Sequence, residues 1–131
     1  MPWREEFATG NDQIDAQHKL LFEHTDVFRA VLQEGLGERT YWSFLEFLQT
    51  FIEVHFGYEE ECMFARHCPC ASQNKEEHGL FSSYIAAQVA IFEREGFDRE
   101  KAKTLLARVE DWLEHHIARV DVKLKDCDPP V

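Results

Sequence analysis

Apolar residues recur along most of the chain at the three-and-four spacing of a helix face, in runs separated by short polar breaks. The first run, from about Asp15 to Gln33, places His18, Leu21, Phe22, Thr25, Phe28 and Leu32 on one side before "EGLGER" interrupts it. The second, from about Thr40 to Ala65, sets Phe44, Leu48, Phe51, Ile52, His55, Glu59, Cys62 and Met63 against Ser43, Glu46, Gln49, Glu53 and Glu60, and ends in the loop "RHCPCAS". In the third, from about Ser72 to Arg94, Asn74, His78, Phe81, Ile85, Val89 and Phe92 share a face that "REGF" closes. The fourth opens near Asp98, a residue type that caps helix N-termini, and stripes Leu105, Val109, Trp112, Leu113 and His116 until about Val120. Helices with one apolar stripe each and short connections predict an all-α, up-down-up-down antiparallel four-helix bundle. No repeat or linker divides the chain, so one domain is expected over 1–131. It comprises an arm (1–14), the bundle (15–120) and a short tail (121–131) whose "DCDPPV" stops helix propagation. Trp3 and Phe7 of the arm are expected to pack on their own bundle, in a monomer.

Composition narrows the function classes. The 131 residues suit one core, and 14 basic against 25 acidic side chains give a net charge of −11, the wrong sign for nucleic acid or an anionic membrane surface. Eleven phenylalanines and three tryptophans signal a dense apolar core, and six glycines with four prolines favour long helices over turn-rich sheet. "MPWREEF" has no basic start followed by an apolar run, and no stretch is apolar enough to span a bilayer. A soluble cytoplasmic protein is expected. Cys62, Cys68, Cys70 and Cys127 are then expected as reduced thiols rather than a disulfide framework. "CMFARHCPC" lacks the Cys-x-x-Cys spacing of a zinc or redox site and reads as a loop of unliganded thiols.

The candidate chemistry lies on the inner stripes. His18, His55, His78 and His116 fall one to a helix on the face turned to the bundle axis. A single such histidine reads as a core residue satisfied by a neighbour, but each of these would need its own buried partner, whereas one shared metal centre satisfies all. Glu59 sits about 400° around the helix from His55 and so on nearly the same face, while Glu60 and Glu61 rotate away and are expected in solvent. A buried carboxylate needs a compensating cation, and no basic residue shares the inner stripes. Imidazole and carboxylate donors suit iron, zinc or manganese, and a carboxylate can bridge two ions. A ferritin-like pair would need Glu-x-x-His on two helices, and that motif is absent from the chain. His24, His67 and His115 read as surface residues.

At these residues the chain resembles the hemerythrin family, in particular its single-domain bacterial members. The likeness runs through "PWREEFATGNDQIDAQHKLLF", "HFGYEEECM", "EEHGLF" and "DWLEHHIARVD". It implies a non-heme di-iron centre of five histidines and two bridging carboxylates that binds dioxygen for carriage, storage or delivery, an oxygen-using enzyme being a candidate recipient. Carried across, His18 and His55 match the ligands of the iron that receives oxygen, and His78 and His116 match ligands of the other. Glu59 and Asp121 match the bridges, joined by an oxo or hydroxo group. Asp121 is implied by the resemblance alone, since five residues beyond His116 is off the same face of a straight helix. Phe22, Trp112 and Ile117 are expected to line a dry oxygen pocket.

The departure is in "NKEEH", where the family's His-x-x-x-His would place a histidine at Asn74. Three outcomes compete: Asn74 or water completes the shell, a nearby group (His67, Cys68, Cys70 or Glu77) substitutes, or the second ion is held weakly or not at all. Water or Asn74 ranks first, because the loop residues sit toward the bundle end. A binding protein rather than an enzyme is expected. The alternative is an altered or mononuclear site that turns over peroxide or oxidises substrates, or that senses oxygen or metal.

Overall fold

The computed structural model describes residues 2–127. Helix α1 (Asp12–Gln33) is opened by Asn11, whose side chain accepts the Ile14 amide at 3.0 Å. This cap satisfies a helix-end donor and starts the helix before the first apolar residue of the stripe. Asp15 reaches back to accept from both the amide and the hydroxyl of buried Thr9, each at 2.9 Å. The arm is fixed by that contact and by a 3-10 turn at Glu5–Phe7, which stacks Phe7 on Phe22 with ring centroids 5.3 Å apart. The arm therefore packs on its own bundle, as the sequence predicts. At the far end of α1, Gly37 has φ 116°, and a Cβ there would meet Leu32 Cδ2 at 2.9 Å, so the turn into the next helix requires glycine.

Helix α2 covers 41–65 in three continuous pieces: α-helical Tyr41–Phe51, a π-helical turn at Ile52–Phe56, and α-helical Gly57–Ala65. Helix α3 (Ala71–Glu95) ends at Gly96, and Asp98 caps α4 (Arg99–Trp112) by accepting the Lys101 amide at 3.1 Å. A second π-helical turn, Leu113–Ile117, continues α4. Arg99 donates to the Leu32 and Leu36 carbonyls at 3.0 Å each, tying the start of α4 to the end of α1. Helix α1 packs on α2 and α4, and α2 packs on α3. The ring is completed where Phe81 of α3 stacks on Trp112 of α4 at 4.3 Å. The result is the all-α four-helix bundle, with no strand among the described residues and no helix long and apolar enough to cross a membrane.

The π turns are invisible in the residue spacing, and they matter. On an ideal α-helix, successive residues stand about 100° apart, so one of two neighbours faces outward. The wider i→i+5 turn leaves both His55 and Phe56 buried, and likewise both His116 and Ile117. Ligand-type and apolar side chains thus enter the interior side by side.

Two apolar clusters sandwich a polar layer. The larger, rich in phenylalanine and leucine, fills one end, and the smaller gathers Ile14, Met63, Cys68, Cys70, Val120 and Leu124 at the other. Beyond α4 the chain breaks direction at Val120 (φ −113°, ψ −59°) and continues as a 3-10 helix, Asp121–Asp126. The tail is thus ordered past Val120, while Pro129 and Pro130 lie outside the described residues. That helix also corrects the expectation of reduced thiols. It returns Cys127 to the α2–α3 connection, where it is disulfide-bonded to Cys68 with Cα atoms 5.1 Å apart. Cys62 and Cys70 are free.

Candidate metal centre

Each helix delivers one imidazole to the polar layer: His18 from α1, His55 from the π turn of α2, His78 from α3 and His116 from the π turn of α4. All are at most 2% exposed, and Glu59 (0%) and Asp121 (1%) join them. The chain break at Val120 turns Asp121 inward, which explains how a residue five beyond His116 reaches the same layer.

Both carboxylates straddle the layer. Glu59 Oε2 lies 3.0 Å from His18 Nε2 and 3.2 Å from His55 Nε2, while Oε1 lies 3.0 Å from His78 Nε2. Asp121 Oδ2 lies 3.3 Å from His18 Nε2, and Oδ1 lies 2.9 Å from His116 Nε2. The donors form two groups, His18, His55 and Glu59 on one side and Glu59, His78, His116 and Asp121 on the other. Within each group they lie within 4.8 Å of one another. Nitrogen and oxygen ligands hold transition-metal ions at about 2.0–2.2 Å, so donors at right angles around one ion stand about 3 Å apart. The observed spacings fit that requirement.

Their directions fit as well. Glu59 Oε1, His78 Nε2, His116 Nε2 and Asp121 Oδ1 are buried with no aligned hydrogen-bond partner, despite their short approaches. Each such group costs about 1–3 kcal/mol, and a cation drawing on their lone pairs removes the cost. Asn74 belongs to the same set: it is wholly buried, one helical turn before His78, and both its amide atoms lack partners. None of the proposed substitutes takes its place. His67 is exposed, Cys68 is in the disulfide, and the Cys70 sulfur lies 4.0 Å from Met63 Sδ and 3.9 Å from the Val120 carbonyl. Glu77 is engaged with His116 through the outer ring nitrogen.

The electrostatics follow from the crowding. Burial opposes charge on His18, but Asp121 and Glu59 outweigh it and push its pKa up to about 10. His116 is likewise opposed by burial and raised to about 9 by Asp121, Glu77 and Glu59. Burial wins at His55, whose pKa is lowered despite Glu59. Burial would raise Glu59, yet His18, His55 and His78 hold its carboxyl well below the usual range. In the metal-free protein, protons on His18 and His116 balance the two carboxylates, and they occupy the nitrogens that an ion would take.

Behind the donors lie partners that the sequence pattern did not reveal. His55 Nδ1 rests on the Gln17 side-chain oxygen at 2.5 Å, His78 Nδ1 on Glu60 at 2.9 Å and His116 Nδ1 on Glu77 at 2.7 Å. Such contacts fix the ring orientation and leave Nε2 as the inward donor. Glu60, expected in solvent, is therefore corrected to a half-buried partner of His78, because α3 covers the flank of α2 that a single-helix projection leaves open. Aromatic rings cover the imidazoles: Phe51 on His55 (4.6 Å), Phe56 on His78 (3.8 Å) and Trp112 on His116 (4.3 Å). Trp112 thus stands beside His78 and His116 rather than His18 and His55, while Phe22 and Ile117 are buried in the main core. His24 is exposed and stacked on Phe47, and exposed His115 pairs with the Asp111 carbonyl.

Comparison with known proteins agrees with this chemistry. Residues 9–126 match the model of the hemerythrin HHE cation binding domain. A bacteriohemerythrin of Stenotrophomonas maltophilia is 25% identical over 124 residues, covering 95% of this chain and 78% of that protein. A hemerythrin-like protein of Naegleria gruberi is 28% identical, covering 94% of this chain and 89% of that protein. A bacteriohemerythrin of Clostridium acetobutylicum is 26% identical, covering 91% and 94%.

Proposed function

The chain belongs to the hemerythrin family of cation-binding helical bundles, and from that premise we propose that it is a non-heme di-iron protein that binds dioxygen. Its task is carriage, storage or delivery in the cytoplasm. What carries the reading is the sharing of Glu59 and Asp121 between two donor groups. A carboxylate with one oxygen turned to each group suits two ions better than one. A ferrous pair would supply reversible two-electron reduction of dioxygen.

The chain's own residues set the conditions for that chemistry. His18, His55 and the shared carboxylates would hold one ion; His78, His116 and the same carboxylates would hold the other, with Asn74 or water available to complete its shell. Phe56, stacked on His78, and Phe22 and Ile117 in the adjoining apolar core would keep water from the ions, which slows side reactions. Ile117→Thr is expected to speed irreversible oxidation of the loaded protein in air, read from the decay of its absorption; an unchanged rate removes Ile117 from the pocket.

A second reading has one observation in its favour. The unpaired amide of Asn74 suits a centre with an extra open position, which would turn over peroxide or hold a single ion as a sensing module. Elemental analysis after anaerobic loading with ferrous iron decides between them. Two irons per chain and a colour that appears with oxygen and fades on degassing support the carrier. One iron without that colour supports the module, and sustained peroxide consumption supports the enzyme.

A further inference from the structure

The cysteines gather at the end of the bundle below the polar layer, although they come from separate parts of the chain. Cys62 lies near the end of α2, Cys68 and Cys70 in the connection to α3, and Cys127 just past the C-terminal 3-10 helix. The bonded pair is unevenly covered. Cys68 is 6% exposed, whereas Cys127 is only partly buried. With Pro69, Cys70, Gln73, Lys123 and Asp126, it lines a surface cavity of about 450 Å³. A small thiol can reach the bond there, at the Cys127 sulfur.

The segment that this bond fastens begins with Asp121. It is a six-residue 3-10 helix that follows a break in α4, and such short pieces have weak hydrogen bonding of their own. Its other anchors are Val120 and Leu124 in the small apolar cluster and its packing on the turn at Glu5–Phe7. Asp121 is the only carboxylate that this segment contributes to the polar layer, touching His18 and His116 from opposite oxygens.

We propose that the Cys68–Cys127 disulfide is a redox-responsive clasp on the metal centre: closed, it seats Asp121 in the polar layer; opened by a small thiol, it loosens the segment 120–127 and weakens metal retention. The thiolate of a dithiol attacks Cys127 Sγ and breaks the S–S bond, releasing Cys68 as a thiolate, and its second thiol then attacks the mixed disulfide and displaces the Cys127 thiolate. Two electrons and two protons pass to Cys68 and Cys127, and the dithiol leaves as a cyclic disulfide. Reclosure requires a small-molecule disulfide, which takes the two electrons and two protons from Cys68 and Cys127 and leaves as two thiols. In a reducing compartment, bonds of this kind are transient and redox-sensing rather than structural. The coupling is reciprocal: the factor by which opening weakens metal binding is the factor by which bound metal resists opening.

The metal readout rests on the proposed di-iron centre, so the test has two arms. Ferrous-loaded protein is mixed anaerobically with an iron(II) chelator before and after dithiol treatment, beside Cys127→Ser and, as a control, Cys62→Ser. Iron release is expected to rise on the order of tenfold in the reduced and Cys127→Ser proteins and to stay unchanged in Cys62→Ser. In the metal-free protein, reduction is expected to speed amide hydrogen exchange in 120–127 while the four helices keep their protection. Equal iron release and equal exchange with the bond open and closed would overturn the clasp. A protein that takes up no iron in either state overturns the di-iron reading instead, and the exchange arm alone then decides the clasp.

Discussion

On one side of Glu59, His55 rests its outer nitrogen on the neutral amide of Gln17, and the outer nitrogen of His18 has no partner. On the other side, His78 and His116 rest theirs on carboxylates, Glu60 and Glu77. A carboxylate behind an imidazole raises its basicity and strengthens it as a donor to a cation. The anionic backing falls on the half that also holds the buried, unpartnered amide of Asn74. The difference teaches that the supporting shell can strengthen the donors of one half by charge and those of the other by orientation alone.

Glu59 is where the comparison is most exposed. Its two oxygens serve opposite halves, so Glu59→Gln is expected to empty both, weakening metal binding by at least about a hundredfold. Loss of only one ion, measured by elemental analysis, would assign Glu59 to a single half and break the symmetry of the centre.

Next in size is Asn74→His. The position is wholly buried and its amide atoms lack partners. An imidazole there is expected to tighten the His78–His116 half by about ten- to a hundredfold and to leave the His18–His55 half unchanged. Chelator competition reads the two halves separately. An unchanged affinity would mean that Asn74 does not face the ion.

Smaller effects test the supporting shell. Glu60→Gln and Glu77→Gln are each expected to cost about tenfold in affinity at the second half, whereas Gln17→Leu should cost the first half only a few-fold. Equal losses from all three would show that the outer partners only orient the rings and that their charge is immaterial.

Much of this arrangement is legible in the sequence, for a physical reason. Burial of one face imposes a spacing, so His18, His55, Glu59, His78 and His116 announce themselves on the stripes. Asp121 does not, because its approach depends on a break in backbone direction at Val120 that no spacing records. The π turns escape for a similar reason: a shift from i→i+4 to i→i+5 bonding leaves the residue order untouched. Glu60 is missed because its partner lies on another helix, which a helix projected alone does not show, and the Cys68–Cys127 pair because thiols in an expected reducing compartment read as free.

Protons give the finest test of the two halves, because each holds one histidine that is charged in the metal-free state. The pKa of His18 is pushed up to about 10 and that of His116 to about 9, from 6.5. A histidine whose pKa is raised by folding contributes stability that is complete below 6.5 and is lost as pH climbs through the raised value. The metal-free protein is therefore expected to lose thermal stability between about pH 7 and 10, its two halves weakening in sequence, His116 before His18. Metal affinity runs the other way. An ion needs neutral imidazole, so loading at pH 7 displaces protons, and affinity for a probe ion such as cobalt(II) should rise steadily from about pH 6.5 to 8.5. A flat affinity with no proton release would mean that His18 and His116 are already neutral. The Glu59 carboxylate, buried among His18, His55 and His78, would then lack part of the compensating charge that holds its pKa down.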